Sequence, residues 1–540
     1  MATRAIETHD GMTHGSLRSR FRWSIPERFN LGAACSDAHP PGDLALVTEL
    51  ADGSVRMTTF GQIAERSNRL ARHLRSLGVA RGDRVGVIVP QSEATGLAHL
   101  AVWKLGAVSL PLASLFGPDA LAYRLEDAEV AAVITSPENA HKLAGLQAEV
   151  PIVTTGQGFD AILADGDPAF PVADTAAEDP AYLIYTSGTT GQPKGALHAH
   201  RSLHGHLPGF ELYYEFAPQP GDLIWTPADW AWIGGLMDVL VPAWYFGMTV
   251  LTAEHDFEPH SAVELMSRHR VTLAFIPPTG LKMMRAAGAE HDGLSLRAIF
   301  TGGEPLGEEL LTWTRTHLGV GINEGYGQTE CNLVLGNCGS MWPVRAGSMG
   351  RPLPGHEVAI MDDDGTRLVG KAGEVCVRSP DPVMMLRYWN RPEATANKYR
   401  DGWLLTGDMG IEDEDGYFWF VSRKDDVISS MGYRIGPGEI EESLLGHPAV
   451  AMCAVIGVPD EIRGQVPAAF VVVRDGHQPG DTLAAELQEH VRTRLAAHEV
   501  PRRITFMDDL PRTTTGKIMR RALRDHGDVT PTVGGRPSGG

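Results

Sequence analysis

The chain has 540 residues, which is too long for one compact core and predicts several packed units rather than a small binding module. It carries 47 Lys and Arg against 67 Asp and Glu, a formal net charge of −20, which argues against a polyanion-binding surface and so against a nucleic-acid partner. With 43% hydrophobic and 21% charged residues, most of the chain can bury a core, and any disorder is expected to be local.

Cysteines and apolar runs indicate the setting of the protein. The five cysteines lack CxxC spacing, so neither a disulfide framework nor a zinc site is indicated, and a reducing, cytoplasmic location is expected. The apolar stretch 239–253 contains Pro242 and is shorter than the ~20 residues of a membrane span, so it predicts a buried helix and strand. Residues 1–23 have no apolar run of the secretory type, and a mobile N-terminal arm is predicted.

Through about residue 420, short β-branched runs alternate with amphipathic stretches, as in βα units around a largely parallel sheet. Strands are predicted over 84–89, 108–112, 182–185, 271–276 and 296–300, with a helix around Leu97 to Leu105. The predicted fold is α/β, with a large multi-layered N-terminal domain of mainly parallel sheets.

A domain boundary is predicted near residue 420, where the charged segment 423–426 precedes the Gly-rich segment 431–438, a composition suited to a hinge. Helices predicted at 439–445 and 483–495 and strands at 450–456 and 468–473 indicate a compact α+β unit. The predicted divisions are an N-terminal domain over 1–424, a small mobile C-terminal domain over 425–524, and a disordered tail over 525–540 that lacks core residues.

The most informative segment is Tyr185-Thr-Ser-Gly-Thr-Thr-Gly-Gln-Pro-Lys-Gly195. Its glycines let the backbone approach a phosphate chain, its hydroxyls donate hydrogen bonds, and Lys194 supplies positive charge. Pro193 and Gly195 flank that lysine, which excludes the Walker pattern, and Thr189 interrupts a dinucleotide GxGxxG. A phosphate loop of another kind is predicted, with a merely flexible turn as the alternative.

This segment resembles the signature of the adenylate-forming superfamily of acyl-CoA synthetases, peptide-synthetase adenylation domains and beetle luciferases. Further motifs follow in that family's order: Gly302-Gly-Glu-Pro305, Tyr326-Gly-Gln-Thr-Glu330, Thr406-Gly-Asp408, Arg423-Lys-Asp425 with Gly432-Tyr-Arg434, and Pro511-Arg-Thr-Thr-Thr-Gly-Lys517. The resemblance covers about residues 40 to 524. It implies ATP, Mg²⁺ and coenzyme A as cofactors, with ATP and the acyl group held by the N-terminal domain.

The resemblance implies a set of nucleotide contacts. Adenine would lie against 303–305 and near Tyr326, Asp408 would bind the ribose hydroxyls with support from Arg423, and Arg434 would approach phosphate. Glu330 matches the Mg²⁺-associated glutamate, and it is assigned a catalytic role with Thr186 and Lys517. The full set is Thr186, Ser187, Gly188, Thr189, Thr190, Lys194, Gly303, Glu304, Pro305, Glu324, Gly325, Tyr326, Gly327, Gln328, Thr329, Asp408, Arg423, Arg434 and Lys517.

Lys517 is the residue expected to carry the first chemical step. A compact ammonium there would stabilise the charge that develops when a carboxylate attacks the α-phosphorus of ATP. In the resembled family this lysine lies on the small domain, and Asp425 matches the hinge about which that domain rotates. The motif also resembles acetylated sites, so a lysine acetyltransferase and deacetylase acting on Lys517 are possible partners.

The resemblance assigns the acyl pocket to Trp232, Ile233, Gly234 and Gly327, and coenzyme A contacts to Gly432, Tyr433 and Arg492. Acetyl-CoA synthetases usually carry Trp where this chain has Gly327, so an acid larger than acetate is predicted. For Trp225, Trp230 and Trp232 the alternative is a core position. His198, His200, His204 and His206 are interpreted as packing or surface residues rather than a zinc site.

The predicted function is an ATP-dependent, AMP-forming acyl-CoA synthetase acting on a medium-chain, branched or aryl carboxylic acid. The alternatives are a stand-alone adenylation enzyme that loads a carrier-protein thiol, and a catalytically silent nucleotide-binding regulator. A light-emitting monooxygenase shares the resemblance and stays open. Glu330, Asp408 and Lys517 occur together, which argues against the silent regulator.

Overall fold

The computed structural model describes residues 3–7, 11–146, 149–186, 192–290, 293–304, 306–430, 433–460, 463–495, 499–512 and 518–527. The strands are β1 Leu44–Glu49, β2 Val55–Thr59, β3 Arg84–Ile88, β4 Val108–Pro111, β5 Val130–Thr135, β6 Ile152–Thr154, β7 Pro180–Thr186, β8 Lys194–Ala199, β9 Leu223–Trp225, β10 Thr249–Ala253, β11 Leu273–Phe275, β12 Ala298–Gly302, β13 Ile322–Gln328 and β14 Cys331–Gly336. They continue as β15 Ser348–Pro352, β16 Val358–Met361, β17 Arg367–Leu368, β18 Gly373–Arg378, β19 Arg387–Tyr388, β20 Tyr399–Arg400, β21 Trp403–Glu412, β22 Phe418–Arg423, β23 Ile428–Ser430, β24 Tyr433–Ile435, β25 Val450–Asp460, β26 Gly464–Val473 and β27 Arg503–Phe506.

The helices in chain order are α1 His14–Arg20, α2 Leu31–Ala34, α3 Phe60–Ser76, α4 Glu93–Lys104, α5 Pro118–Asp127, α6 Pro137–Ala140, α7 Gln157–Ala164, α8 Ser202–Tyr213, α9 Ile233–Gly235, α10 Val241–Tyr245, α11 Pro259–Arg268, α12 Pro278–Ala287, α13 Glu308–Trp313, α14 Pro392–Ala396, α15 Pro437–Leu445, α16 Asp481–Arg492 and α17 Arg520–Gly527. Short 3-10 turns lie at His141–Leu143 and Lys424–Asp426, and π-helical turns at Leu236–Leu240 and Thr314–Leu318. No helix among the described residues is long and apolar enough to cross a membrane.

Two sheets with helices packed between them form the N-terminal part. In the first sheet β1, β10, β9, β11, β12 and β13 run parallel, and in the second β3 to β7 run parallel with β8 and β19 antiparallel at the edge. One buried cluster joins Val85 of the second sheet, Leu100 of α4, Phe210 of α8 and Phe300 of the first sheet. The predicted α/β class with mainly parallel sheets is therefore confirmed, as are the strands predicted from 84 to 300 within two residues at either end.

The βα alternation stops earlier than the sequence pattern predicts. From β13 to β22 the strands of the first sheet pair antiparallel, in the order β13, β14, β15, β22, β21, β18, β16, β17. Tight connections such as 362–366 and 413–417 are too short for the crossover helix that a parallel pair requires. Asp408 and Arg423 lie on this antiparallel half, and Asp408 accepts hydrogen bonds from Tyr326 and Gln328 of β13.

A third sheet forms the C-terminal part, with β24, β23, β26 and β25 in antiparallel order and β27 parallel to β26. Helices α15 and α16 pack on it through Ile440 and Leu487, both fully buried. Helix α17 extends to Gly527 and so into the segment that was predicted to be a disordered tail from 525, because Leu523 is buried against Val458 and Phe470. Residues 528–540 lie outside the described residues.

The prediction of a mobile N-terminal arm is wrong for the described residues. Ile6 and Leu17 are only 1% and 5% exposed, and the Arg18 guanidinium donates to the His356 carbonyl over 3.2 Å. The main-chain N–H groups of Ala5 and Ile6 donate to Glu211 Oε1 over 2.6 and 3.2 Å. The sequence pattern missed this because the acceptor lies in α8, about two hundred residues away.

The contact at Glu211 makes stability depend on pH. Burial raises the pKa of Glu211 to about 8, against an ordinary value of 4.5. Between these two values the folded chain holds a proton that the unfolded chain has lost, so this group's contribution to the free energy of unfolding falls as pH rises from about 4.5 to about 8 and is constant above that. Glu211→Gln is expected to remove that slope. The unfolding temperature of the variant minus that of the wild type should therefore rise from pH 5 to pH 8.

Exposed Glu7 offers the matched control, since Glu7→Gln changes the same group without burial. Its pH profile of unfolding temperature should run parallel to that of the wild type. Parallel profiles for Glu211→Gln as well would contradict the assignment.

Candidate active site

The base of the phosphate loop is the hairpin of β7 and β8. Thr186 ends β7 and pairs with Lys194, the first residue of β8, and the Thr186 hydroxyl donates to the Lys194 carbonyl over 3.4 Å. Antiparallel pairing thus holds both residues at the mouth of the loop. The predicted phosphate contacts Ser187, Gly188, Thr189 and Thr190 lie outside the described residues.

Tyr388 stands between the loop lysine and the predicted metal carboxylate. It pairs with Ala196 of β8, and Lys194 Nζ lies 5.2 Å from its ring centroid, within range of a cation–π attraction. The Tyr388 hydroxyl donates a short hydrogen bond to Glu330 Oε1. One tyrosine therefore contacts both charged side chains: its ring lies beside the Lys194 ammonium, and its hydroxyl bonds to the Glu330 carboxylate.

Burial, reinforced by the Glu330 charge, raises the pKa of Tyr388, so its hydroxyl stays protonated and keeps donating. Glu330 is 9% exposed, and its Oε2 accepts no hydrogen bond from the described residues. No sequence motif singles out Tyr388. Only the pairing of β19 with β8 brings it to the site.

Asp408 is the centre of a second cluster. It lies opposite Arg423 on neighbouring strands β21 and β22, and Arg423 Nη1 donates to Asp408 Oδ1 over 2.8 Å. The Tyr326 hydroxyl donates to Oδ2 over 2.6 Å, and the Gln328 amide donates to the same oxygen. Four residues of the predicted nucleotide set therefore meet at one carboxylate, whose side chain is 5% exposed.

This cluster has hydrogen-bonding capacity left over. In the described part of the chain, Gln328 Oε1 and Arg423 Nε are buried without a partner, although buried polar atoms are normally satisfied. Burial lowers the pKa of Arg423, but the charge and hydrogen bond of Asp408, together with the contributions of Tyr326 and Glu330, outweigh burial and the net shift is upward, so the guanidinium stays charged. A ligand with several hydroxyl groups, such as a ribose, fits this donor and acceptor set.

Gly303 and Glu304 follow the carboxyl end of β12, and Glu324 and Gly325 lie beside that end in the parallel strand β13, where Gly302 pairs with Gly325. In open α/β sheets, this edge forms the ligand crevice. The Glu324 carboxyl accepts from the Leu306 N–H over 3.4 Å, and burial raises its pKa to about 8. Glu304 Oε2 lies 3.7 Å from Lys282 Nζ and forms an ion pair with it. Thr329 follows β13 partly exposed, and Pro305 lies outside the described residues.

The segment assigned to the acyl pocket is partly exposed at Trp232, Ile233 and Gly234. The Trp232 ring packs edge-on against Phe116, with centroids 5.7 Å apart. Trp225 and Trp230 are instead buried in core clusters. The core interpretation therefore holds for those two tryptophans, whereas Trp232 is partly exposed at the margin of a core cluster.

Gly327 has a packing reason unrelated to pocket size. A Cβ at this position would lie 2.1 Å from the main-chain nitrogen of Leu333 and 3.0 Å from Asn332 Cα. Main chain cannot move aside as a flexible side chain can, so the close approach of β13 and β14 requires glycine here. The hairpin main chain occupies the position next to Gly327, so glycine here does not indicate a larger acid.

The residues predicted on the C-terminal part are only partly described. Asp425 lies in the 3-10 turn Lys424–Asp426, where its carbonyl accepts from Arg524 Nη2 over 3.0 Å. Arg492 ends α16, is 54% exposed and pairs with Glu489 on the previous turn. Tyr433 and Arg434 lie in β24 without described side chains, and Gly432 and Lys517 lie outside the described residues.

The four histidines after the phosphate loop are buried, which agrees with the packing interpretation. Burial lowers the pKa of His198 to about 3 and those of His200, His204 and His206 to about 4. No group of three or more His, Cys, Asp or Glu that could hold a metal occurs among the described residues.

Comparisons with known proteins cover most of the chain. The family model for AMP-binding enzymes matches residues 34–389, and the model for the AMP-binding enzyme C-terminal domain matches 439–517. The chain is 34% identical over 492 residues to the uncharacterized acyl-CoA ligase YtcI of Bacillus subtilis, covering 89% of this chain and 92% of that protein. It is 35% identical over 484 residues to the acetyl-coenzyme A synthetase of the same organism, covering 86% and 84%.

Solved structures of CoA ligases and related proteins resemble this chain over more than 90% of its length. ATP-bound MatB from Rhodopseudomonas palustris superposes with a TM-score of 0.84 at 28% identity, covering 93% of this chain and 99% of that one. A benzoate CoA ligase from Burkholderia xenovorans LB400 superposes with a TM-score of 0.81 at 28% identity, covering 92% and 100%.

A phosphate-loop hairpin and two carboxylates meet beside the crevice edge of a parallel sheet, an arrangement suited to binding a nucleotide. The chain belongs to the AMP-binding enzyme family and is an AMP-forming acid–thiol ligase, an acyl-CoA synthetase that uses ATP and coenzyme A.

Proposed function

We propose that this acyl-CoA synthetase adenylates a carboxylic acid larger than acetate and passes the acyl group to coenzyme A. The acid's carboxylate displaces pyrophosphate from ATP to give acyl-AMP, and the thiol of coenzyme A then displaces AMP. The array of Lys194, Tyr388 and Glu330 is the observation that carries the adenylation step. The Lys194 ammonium, held in place there, would stabilise phosphoryl oxygens without reorganising during the reaction.

The size of the acid is argued from the walls of the acyl segment. Trp232 and Phe116 present an aromatic pair, and Gly234 contributes no side chain. Acetate would leave this apolar surface uncovered, whereas each further buried CH₂ contributes about 0.8 kcal/mol. The names of the relatives extend from acetate to benzoate, so a medium-chain, branched or aryl acid is compatible with the family.

Mg²⁺ is proposed to bind at Glu330. Oε1 accepts the Tyr388 hydroxyl, which leaves Oε2 for a hard cation. Mg²⁺ commonly binds one or two carboxylates together with substrate phosphates, so a single protein carboxylate is sufficient. When bound, the ion would neutralise phosphate charge in the transition state.

Asp425 is proposed as the hinge between domains 1–424 and 425–524. Lys424 pairs with Glu374 over 2.9 Å and with Asp363 over 3.0 Å, both on the N-terminal side. Asp426 instead pairs with Arg520 and Arg524 of α17. The partners thus change side across Asp425, which supports a rotation point there.

The test is carboxylate-dependent AMP formation with and without coenzyme A, across acetate, butyrate, 2-methylbutyrate, octanoate and benzoate. AMP and acyl-CoA from one of the larger acids, at a kcat/KM above that of acetate, are expected. Best turnover with acetate would contradict the size proposal. Acyl-AMP without transfer to coenzyme A would favour a carrier-protein thiol, and ATP binding without adenylation would favour the silent regulator.

A further inference from the structure

Asp238 is a buried carboxyl that adenylation does not use. It lies in the π-helical turn Leu236–Leu240, directly after the acyl segment, and its side chain is 4% exposed. A π-helical turn is rare and often marks a functional site. Burying a carboxyl costs free energy unless its oxygens are hydrogen-bonded. The hydrogen-bond partners of the two Asp238 oxygens therefore show whether a structural role accounts for this residue.

One oxygen of Asp238 is fixed by a chain of hydrogen bonds. Asn332 Nδ2 donates to Asp238 Oδ1 over 2.5 Å and lies 3.1 Å from His206 Nε2. His206 Nδ1 lies 2.6 Å from the Ser202 carbonyl, which can only accept, so Nδ1 carries the hydrogen and Nε2 accepts from Asn332. The amide thus donates to two acceptors, and Oδ1 has no need of a ligand.

The other oxygen lies close to Gly234 of the acyl segment. Asp238 Oδ2 lies 3.8 Å from the position that a Cβ of Gly234 would occupy, and the Phe275 ring lies 3.0 Å from the same position. Gly234 and Asp238 are four residues apart and share a helix face, and Gly234 is partly exposed. Oδ2 forms no hydrogen bond with any of the described residues.

A purely structural role does not account for this oxygen. The Tyr214 hydroxyl, which ties α8 to the π-helical turn, donates to the main-chain carbonyl of Asp238 over 3.2 Å and would do so with any side chain. Burial raises the pKa of Asp238 well above its ordinary value, which favours the protonated carboxyl, a group that can both donate and accept.

Resting on the proposed function, we infer that Asp238 is a specificity-determining residue of the acyl pocket, and that the enzyme's preferred acid carries an uncharged polar substituent, a hydroxyl or amino group, that hydrogen-bonds to Asp238 Oδ2. Gly234 provides the opening through which the substituent reaches the carboxyl. A site that buries a hydrogen-bonding group discriminates against ligands that lack the matching group, because its own group is then left unpaired.

The experiment compares matched acids: benzoate with 3-hydroxybenzoate, 4-hydroxybenzoate and 3-aminobenzoate, and hexanoate with 6-hydroxyhexanoate. The wild type is expected to favour at least one substituted acid over its parent by about 10-fold or more in kcat/KM. Asp238→Ala should reduce that ratio to about one or below, because it lowers kcat/KM for the substituted acid only. Asp238→Asn, which keeps the acceptor for Asn332, should give an intermediate ratio and secures the test if the alanine variant does not fold.

Asp381→Asn is the matched control, since Asp381 is a buried carboxyl whose partners are His356 and the Val383 N–H. It should leave the ratio unchanged. Equal loss with parent and substituted acids in the Asp238 variants, or a wild-type preference for every parent acid, would overturn the inference while leaving the ligase function standing. Absence of AMP with any acid would overturn both.

Discussion

Replacing Lys517 with alanine is expected to lower the rate of acyl-AMP formation by about 100-fold to 1,000-fold, the typical loss when one preorganised charge-stabilising group is removed from a transition state. Formation of acyl-CoA from preformed acyl-AMP should stay within about threefold of wild type, because no charge then develops on an attacked phosphorus. The two half-reactions are measured separately, as acid-dependent pyrophosphate release and as coenzyme A-dependent AMP release.

Exposed Lys371 provides the control. Lys371→Ala should leave both half-reactions unchanged. Acetylation of Lys517 removes the same positive charge, so enzymatic acetylation should reproduce the alanine pattern and a deacetylase should reverse it. An equal loss of both half-reactions would contradict the assigned role.

Asp408→Ala is expected to raise the KM for ATP by about 10-fold or more, since a carboxylate accepting ribose hydroxyls forms charge-assisted hydrogen bonds. It also leaves Tyr326, Gln328 and the Arg423 guanidinium without their shared acceptor. Because Arg423 keeps 35% of its side chain exposed, the free energy of unfolding should fall only by about 1 to 3 kcal/mol. ATP titration of the initial rate and a thermal unfolding scan measure the two effects.

Asp408→Asn separates these effects. The amide keeps the size of the side chain and can still accept from Arg423 through Oδ1, but its Nδ2 cannot accept from Tyr326 and Gln328, so stability should be only partly restored while ATP binding stays weakened. Asp415→Ala serves as the surface control, because Asp415 pairs with Arg345 but is 63% exposed. An unchanged KM for ATP in Asp408→Ala would show that the nucleotide does not use this cluster.

The fold could be predicted where the signal is local. The strands at Arg84–Ile88 and Pro180–Thr186 and the helix at Glu93–Lys104 follow from the periodicity of apolar side chains, which depends on the backbone within a few residues. The antiparallel half of the first sheet and the packed N-terminal segment depend on partners distant in sequence, such as Glu211 for Ala5 and Ile6. Local patterns do not encode such pairing.

The candidate site also has features that the local sequence predicts and features that depend on partners distant in sequence. The phosphate loop and the motifs of Tyr326, Asp408 and Arg423 could be recognised from the sequence, because the order of their residue types is a property of the chain. Three features depend on the folded chain: Tyr388 links Lys194 to Glu330, Gly327 makes a close main-chain contact, and the second oxygen of Asp238 lies behind Gly234. These are contacts between separate strands and helices, and their geometry exists only after the sheets have paired and packed.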